Sequence, residues 1–252
     1  MLVFPNAKIN IGLNVVEKRN DGFHNIESIF YPVFNVFDVL EIIESETLTF
    51  TSTGIAIPGN SSTNLCLQAY YLLKADFNIP NVKIHLHKVI PIGAGLGGGS
   101  ADAAFTLIAL NKLFKLNLLD TQLIAYCRKL GSDCAFFIKN KPVYAYHKGD
   151  EFKTIAIDLS LYDIKIEYPN IHIGTAEAYQ GIVPQQLSQK IVEDIKLPPE
   201  SWKTIFKNDF ETSVFPNHPI IKKTKEKMYA NGAVFAAMTG SGSAVFGLFK
   251  KK

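Results

Sequence analysis

An α+β fold in two parts, residues 1–150 and 151–252, is the architecture this sequence predicts, and three observations carry it. The N-terminal stretch is rich in β-branched and aromatic residues punctuated by turn chemistry. A glycine-rich run, Pro91 to Ala104, stands between an alternating, strand-like pattern and an almost wholly apolar, helix-like one. The end of the chain reads strand, glycine turn, strand.

Taken in order, Asn6 to Val16 is β-branched and apolar with polar interruptions, a strand, and Arg19-Asn20-Asp21-Gly22 is a turn. Ile29 to Glu44, with its Val, Ile and Phe, is a further strand region, and Thr47 to Gly59 adds strand and loop. Asn64 precedes a helix over Leu65 to Ala75, whose Leu65, Ala69, Leu72 and Leu73 fit one face. From Val82 to His87 the alternation is strict: Val82, Ile84 and Leu86 on one side, Lys83, His85 and His87 on the other. The histidine pair has the spacing of a metal site and also of a solvated strand face. Ala101 to Phe114 is apolar nearly all round except at Asp102, Thr106 and Asn111, as a helix buried against a sheet must be. Asp120 or Thr121 can cap a helix over Gln122 to Leu130 that stops at Gly131, after which Phe136 to Gly149 returns to strands and a turn. A mild shift in composition sets the boundary near residue 150. Beyond it come a strand over Asp163 to Tyr168 and helices around Pro184 to Ile195 and Ile220 to Ala230. The chain closes with strands Ala233 to Met238 and Ala244 to Phe249 around Thr239-Gly240-Ser241-Gly242-Ser243.

Composition narrows the function classes. The chain is 47% hydrophobic and 19% charged, ordinary for a soluble enzyme, and its net charge of +3 is scattered apart from Lys250-Lys251-Lys252, so nucleic acid is not expected as a partner. No apolar run is long enough to span a bilayer, and Met1 to Lys8 lacks the pattern of a signal peptide, which points to the cytoplasm. Cys66, Cys127 and Cys134 are odd in number with no Cys-x-x-Cys spacing, so reduced thiols are expected, with neither a disulfide framework nor a thiolate zinc site.

The run Pro91-Ile92-Gly93-Ala94-Gly95-Leu96-Gly97-Gly98-Gly99-Ser100-Ala101 is a phosphate cradle in its chemistry. Glycines let successive backbone N–H groups turn toward one centre, and the helix that follows aims its unpaired first-turn N–H groups at the same point. Gly93-x-Gly95-x-x-Gly98 satisfies the dinucleotide fingerprint, but that fingerprint needs an acid ending a second parallel strand, and Asp120 sits in a helix-cap context. No Gly-Lys-Ser/Thr makes a Walker A loop, and neither His-Arg-Asp nor Asp-Phe-Gly of the protein kinases is present.

Pro5-Asn6-Ala7-Lys8-Ile9-Asn10, the run Pro91 to Ala104 and Thr239 to Ser243 together resemble the three signature segments of the GHMP small-molecule kinases. Arg19-x-Asp21-Gly22-Phe23-His24, Gly131-Ser132-Asp133-Cys134-Ala135-Phe136-Phe137 and Asn208-Asp209-Phe210-Glu211 resemble the branch of that family acting on a cytidine diphosphate-linked methylerythritol in non-mevalonate isoprenoid synthesis. The resemblance implies a ribosomal protein S5 domain 2-like N-terminal part and a ferredoxin-like C-terminal part. It implies ATP and Mg2+ as cofactors, Ser100 as a metal ligand, and the loop residues Pro91 and Gly93 to Ala101 as the ATP site. Asp133 is then the catalytic base, and Lys8 holds it ionised and orients the hydroxyl. On the substrate side it implies Asn10 aligning the alcohol, His24 reading cytosine, Phe23 and Tyr179 as its stacking faces, and Thr175, Gly240 and Ser241 in contact. A homoserine- or mevalonate-type kinase and a non-catalytic nucleotide-binding module remain alternatives, and the chain is a monomer or homodimer. Two departures stand out: Phe23 replaces the family's usual tyrosine, and Lys139 to Asp150 replaces its glycine-rich segment.

Overall fold

The computed structural model describes residues 1–60, 63–185 and 191–251. Along the chain the elements are β1 (Leu2–Val3), β2 (Asn6–Lys18), β3 (His24–Phe37), β4 (Val39–Glu44), β5 (Thr49–Gly54), α1 (Leu65–Asp76), β6 (Val82–Lys88), α2 (Gly98–Leu113), α3 (Asp120–Arg128) and α4 (Phe136–Lys139). They continue as β7 (Val143–Tyr146), β8 (Glu151–Thr154), β9 (Tyr162–Glu167), α5 (Thr175–Tyr179), α6 (Ile191–Asp194), α7 (Trp202–Ile205), α8 (Phe210–Asn217), α9 (Pro219–Ala230), β10 (Phe235–Met238) and β11 (Val245–Lys250). The fold is α+β, and its contacts form two compact units that interleave along the sequence. One unit comprises Met1–Ala7, Pro32–Ile92 and Gly97–Lys141; the other comprises Lys8–Tyr31, Gly93–Leu96 and Pro142–Lys252.

The first unit is built on a sheet in the order β1-β4-β6-β5, with β5 parallel to β6 and the other pairs antiparallel. In β6 the alternation holds, Val82, Ile84 and Leu86 being buried, and it runs one step further to bury Lys88. Helix α2 packs on β4, β1 and α1 and is covered nearly all round, Asp102 and Thr106 included. Asn64 caps α1, its Oδ1 accepting the Cys66 N–H at 2.9 Å. The buried face of α1 is Cys66, Leu67, Ala69, Tyr70 and Leu73, so Ala69 and Leu73 of the expected face are buried while Leu65 and Leu72 are half-buried, α1 packing on both α2 and α3.

The sheet β2-β3-β7-β8 belongs to the second unit except for Asn6–Ala7 of β2 and Pro32–Phe37 of β3, and a further, antiparallel sheet in that unit runs β10-β11-β9. Leu13 and Val15 of β2 meet Phe210 and Val214 of α8, Ile221 and Met228 of α9, and Met238 and Val245 of the second sheet in one core. Each such fully buried side chain contributes about 1.5–3 kcal/mol.

Several expectations are corrected. The region Ile29 to Glu44 is two strands, the first beginning at His24, with a break at Asp38, whose carboxylate turns inward and whose N–H donates to the Pro5 carbonyl. Helix α3 begins at Asp120, so neither Asp120 nor Thr121 caps it; the cap position is Leu119, whose N–H donates to Gln122 Oε1 at 2.9 Å. Phe136 to Lys139 is a helical turn, not strand, because the consecutive Phe136 and Phe137 are both buried, which an alternating strand facing water cannot do. Of the helix expected around Pro184 to Ile195, Ile191–Asp194 is helical while Pro184 and Gln185 are not, the Gln185 N–H donating instead to Val15 O at 3.0 Å; residues 186–190, like Lys252, lie outside the described residues.

Candidate active site

The candidate residues fall in both units and are best taken one unit at a time. In the first, α2 opens at Gly97, a left-handed cap with φ +71° and ψ 15°, and the Ala101 N–H is the first of this turn to return to a helix carbonyl, donating to Gly97 O at 2.9 Å. The N–H groups of Gly98, Gly99 and Ser100 are therefore those left to face an anion. Asp133 stands half-buried in the turn after Gly131, ahead of the buried run Cys134 to Phe137. Burial pushes the Cys134 thiol up to about 12 while a hydrogen bond with Ser100 works the other way. Burial likewise raises Cys66 and Cys127, and all three cysteines are free and inert.

Beneath the start of α2 lies a charge cluster absent from the sequence expectations. Lys88 Nζ donates to Asp38 Oδ2 and, at 2.8 Å, to Asp102 Oδ2, while Asp38 Oδ1 accepts the N–H groups of Val89 and Ile90 at 2.6 and 2.8 Å. All three side chains are buried. Burial alone would lower the Lys88 ammonium, yet Asp102 and Asp38 hold it above its ordinary value. Burial pushes Asp102 up to about 7, and its Oδ1 has no hydrogen-bond partner among the described residues. One sequence signal could have found it, since the β6 alternation places Lys88 inward.

In the second unit, Lys8 and Asn10 lie on β2, both buried, with Lys8 Nζ donating to Asn10 Oδ1 at 2.7 Å and lying 4.6 Å from the centre of the Phe30 ring. Asn10 Nδ2 donates to Ser28 Oγ, and its N–H donates to Thr239 Oγ1 at 3.1 Å. The loop residues Gly93–Leu96 dock backbone to backbone on the last glycine turn: a Cβ on Gly95, φ +82°, would meet Thr239 O at 1.9 Å. The Lys8 N–H donates to Leu96 O at 2.9 Å, and Ala244 N–H to Ala94 O at 3.1 Å. The Asn208-to-Glu211 segment braces that turn, Asn208 Nδ2 donating to Met238 O and Gly240 O, and Glu211 Oε1 accepting the Met238 N–H. Ser241 is half-exposed beside the buried Gly240.

The same unit carries the aromatic candidates. Phe23 is 59% exposed at the tip of a turn tied by Arg19, which donates to Asp21, Asn25 and His147. Lys148 Nζ lies 5.2 Å from the centre of the Phe23 ring. His24 is stacked on Tyr179, ring centres 4.4 Å apart and planes 18° apart, while the Tyr179 and Phe210 rings stand nearly perpendicular with centres 4.8 Å apart. Burial, then Lys18, pushes His24 below its ordinary value, so its imidazole is neutral at pH 7 and offers one donor and one acceptor. Thr175 is exposed at the start of α5. In the first unit, His85 and His87 bond to Thr51 and Thr53 across the β5–β6 pair. Among the described residues, no group of three or more His, Cys, Asp or Glu is placed to hold a metal ion.

Residues 64–141 match the N-terminal domain of the GHMP kinases, and residues 196–252 match their C-terminal domain. The chain is 52% identical over 254 residues to a 4-diphosphocytidyl-2-C-methyl-D-erythritol kinase from Cytophaga hutchinsonii, covering 100% of this chain and 93% of that protein. It superposes on a crystal structure of 4-(cytidine 5'-diphospho)-2C-methyl-D-erythritol kinase with a TM-score of 0.81 at 30% identity, covering 98% of this chain and 90% of the other. A homoserine kinase from Cytophaga hutchinsonii shares the fold, with a TM-score of 0.70 at 17% identity over 100% of this chain and 85% of that one.

Proposed function

The chain belongs to the GHMP kinase family, and from that premise we infer which of its residues carry the reaction. Its activity is that of a 4-diphosphocytidyl-2-C-methyl-D-erythritol kinase, an ATP-dependent phosphotransferase with an alcohol acceptor. The reading is carried by one observation above the others: identity of 52% to a relative of that activity extends over 254 residues and 100% of this chain. The acceptor is the 2-hydroxyl of the methylerythritol moiety, and the products are its phosphate and ADP.

Phosphoryl transfer spreads negative charge over the oxygens of the moving group, so the protein must supply positioned dipoles and remove one proton. The N–H groups of Gly98, Gly99 and Ser100 supply the dipoles. Asp133 accepts the proton of the attacking hydroxyl, and the Lys8 ammonium, oriented by Asn10 Oδ1, holds that hydroxyl in line. Neutral His24 reads the cytosine edge with one donor and one acceptor, and Phe23 offers the ring a stacking face. Tyr179 already has His24 on one face, so the base meets its other face or displaces the histidine. Thr175, Gly240 and Ser241 complete the substrate contacts.

A Mg2+ ion would neutralise charge on the ATP phosphates when bound. Asp38 and Asp102 are both engaged by Lys88, and the Ser100 hydroxyl at the start of α2 is the group of this chain that would help hold the ion. Use of ATP and three free buried thiols support a cytoplasmic setting. The division at residue 150 stays part of the proposal, with the two matched segments lying on either side of it.

The test is ADP release by the purified chain with ATP and each of three alcohols. Turnover with the cytidine diphosphate-linked methylerythritol alone supports the reading; turnover with homoserine or mevalonate instead overturns it.

A further inference from the structure

We propose that Lys88, clasped between Asp38 and Asp102, is a positioning residue for the ATP loop, fixing its strand side and its helix side to one buried point. The proposal rests on the reading of that loop as the ATP site. On the strand side, Asp38 takes both the ammonium and the N–H groups of Val89 and Ile90, the last residues before Pro91. On the helix side, Asp102 reaches the same ammonium at 2.8 Å from the second turn of α2. Gly98, the first residue of the helix, lies directly over the cluster: a Cβ there would stand 2.8 Å from Lys88 Nζ and 2.8 Å from Ile90 Cγ2. The absence of a side chain at Gly98 thus lets the backbone that presents N–H groups rest on the ammonium.

Stability alone gives no reason for this arrangement. Taking the Lys88–Asp38 ion pair and the Asp102 carboxyl out of water costs about as much as their attraction returns, and a packed apolar trio holds a fold as well. The cluster is not even saturated, since Asp102 Oδ1 has no partner among the described residues. Charges add direction and fixed length, because an ammonium with three donors ties three elements at hydrogen-bond distance where apolar side chains would slide. The elements tied are the two flanks of the loop, and a cradle displaced by a fraction of an ångström no longer matches the developing charge.

Lys88→Met tests this. The expected result is a KM for ATP raised about tenfold or more, with the KM for the alcohol unchanged, and faster amide hydrogen exchange over residues 97–104 while the central strands keep their protection. A lowered unfolding midpoint with unchanged KM values and uniform exchange would mean a structural role only and overturns the proposal. If Lys88→Met yields no folded protein, Asp102→Asn, which keeps the side chain's shape and the Lys88–Asp38 pair, carries the test. A rise of roughly threefold or more in the ATP KM supports the proposal, and no change overturns it. Gly97→Val, measured alongside, separates the two ideas. ATP affinity lost in Gly97→Val and normal in Lys88→Met refutes the clamp alone, whereas normal affinity in Gly97→Val refutes the loop as the ATP site.

Discussion

Replacing Phe23 by alanine separates substrate binding from packing more cleanly than any other single change. The residue is 59% exposed, so folding covers only about two fifths of it. Fully burying a phenylalanine is worth about 1.5–3 kcal/mol, and two fifths of that is roughly 0.6–1.2 kcal/mol, well below the ~3–5 kcal/mol lost on truncating a core phenylalanine. Lys148 Nζ lies 5.2 Å from the centre of the ring. A cytosine stacked on the ring would add about 1–3 kcal/mol, which is roughly a 5- to 150-fold change in binding. That contact is made equally in the ground and transition states, so its loss raises the KM for the alcohol and leaves kcat and the KM for ATP nearly unchanged. Initial rates of ADP release, with each substrate varied in turn, give both KM values, and urea unfolding of the same preparation gives the midpoint. Phe23→Tyr, which restores the family's usual residue, is expected to match the parent. An unchanged alcohol KM in Phe23→Ala, whatever happens to stability, removes Phe23 from the base site.

Asp133→Asn keeps the shape of the side chain but cannot accept a proton, so turnover should fall by about a hundredfold or more with ATP binding intact; near-normal turnover removes Asp133 from the mechanism. Gly97→Val puts a β-branched side chain at φ +71°, where even an unbranched residue costs roughly 1–2 kcal/mol, and ATP affinity in the folded protein should be the first property lost. Titration of ATP against the variant checks this, and unchanged affinity means the phosphates lie elsewhere. Burial holds the Asp102 carboxyl up at about 7 against 3.8 unfolded, so its contribution to stability is fully present below the unfolded value and is lost as pH rises through about 7. Asp102→Asn cannot gain that charge, so its unfolding midpoint should climb relative to the parent between about pH 4 and about pH 7 and level off above that. A gap that stays constant with pH contradicts the buried, proton-linked cluster.

What could be read from the sequence alone is what local physics sets. The alternation of β6, the Asn64 cap, the all-round apolar surface of α2 and the glycines of the loop each follow from a period, a cap or a demand for positive φ within a few residues. Lys8, Asn10 and Asp133 were legible in a different way, through resemblance of ordered segments, and their setting was not. Tertiary structure decided whatever depends on a partner far along the chain. Asp38 breaks a strand region because its carboxylate is drawn to Lys88, 50 residues on, and Gly242 must lack a side chain because the backbone of Ala94 and Gly95 lies against it. Leu119 rather than Asp120 caps α3 because Gln122 folds back, and Phe136 turns helical because two adjacent rings must both be buried. His24 finds Tyr179 across 155 residues of chain. No window of sequence contains such pairs, since burial of a charge or stacking of a ring is favourable only once the distant partner has arrived.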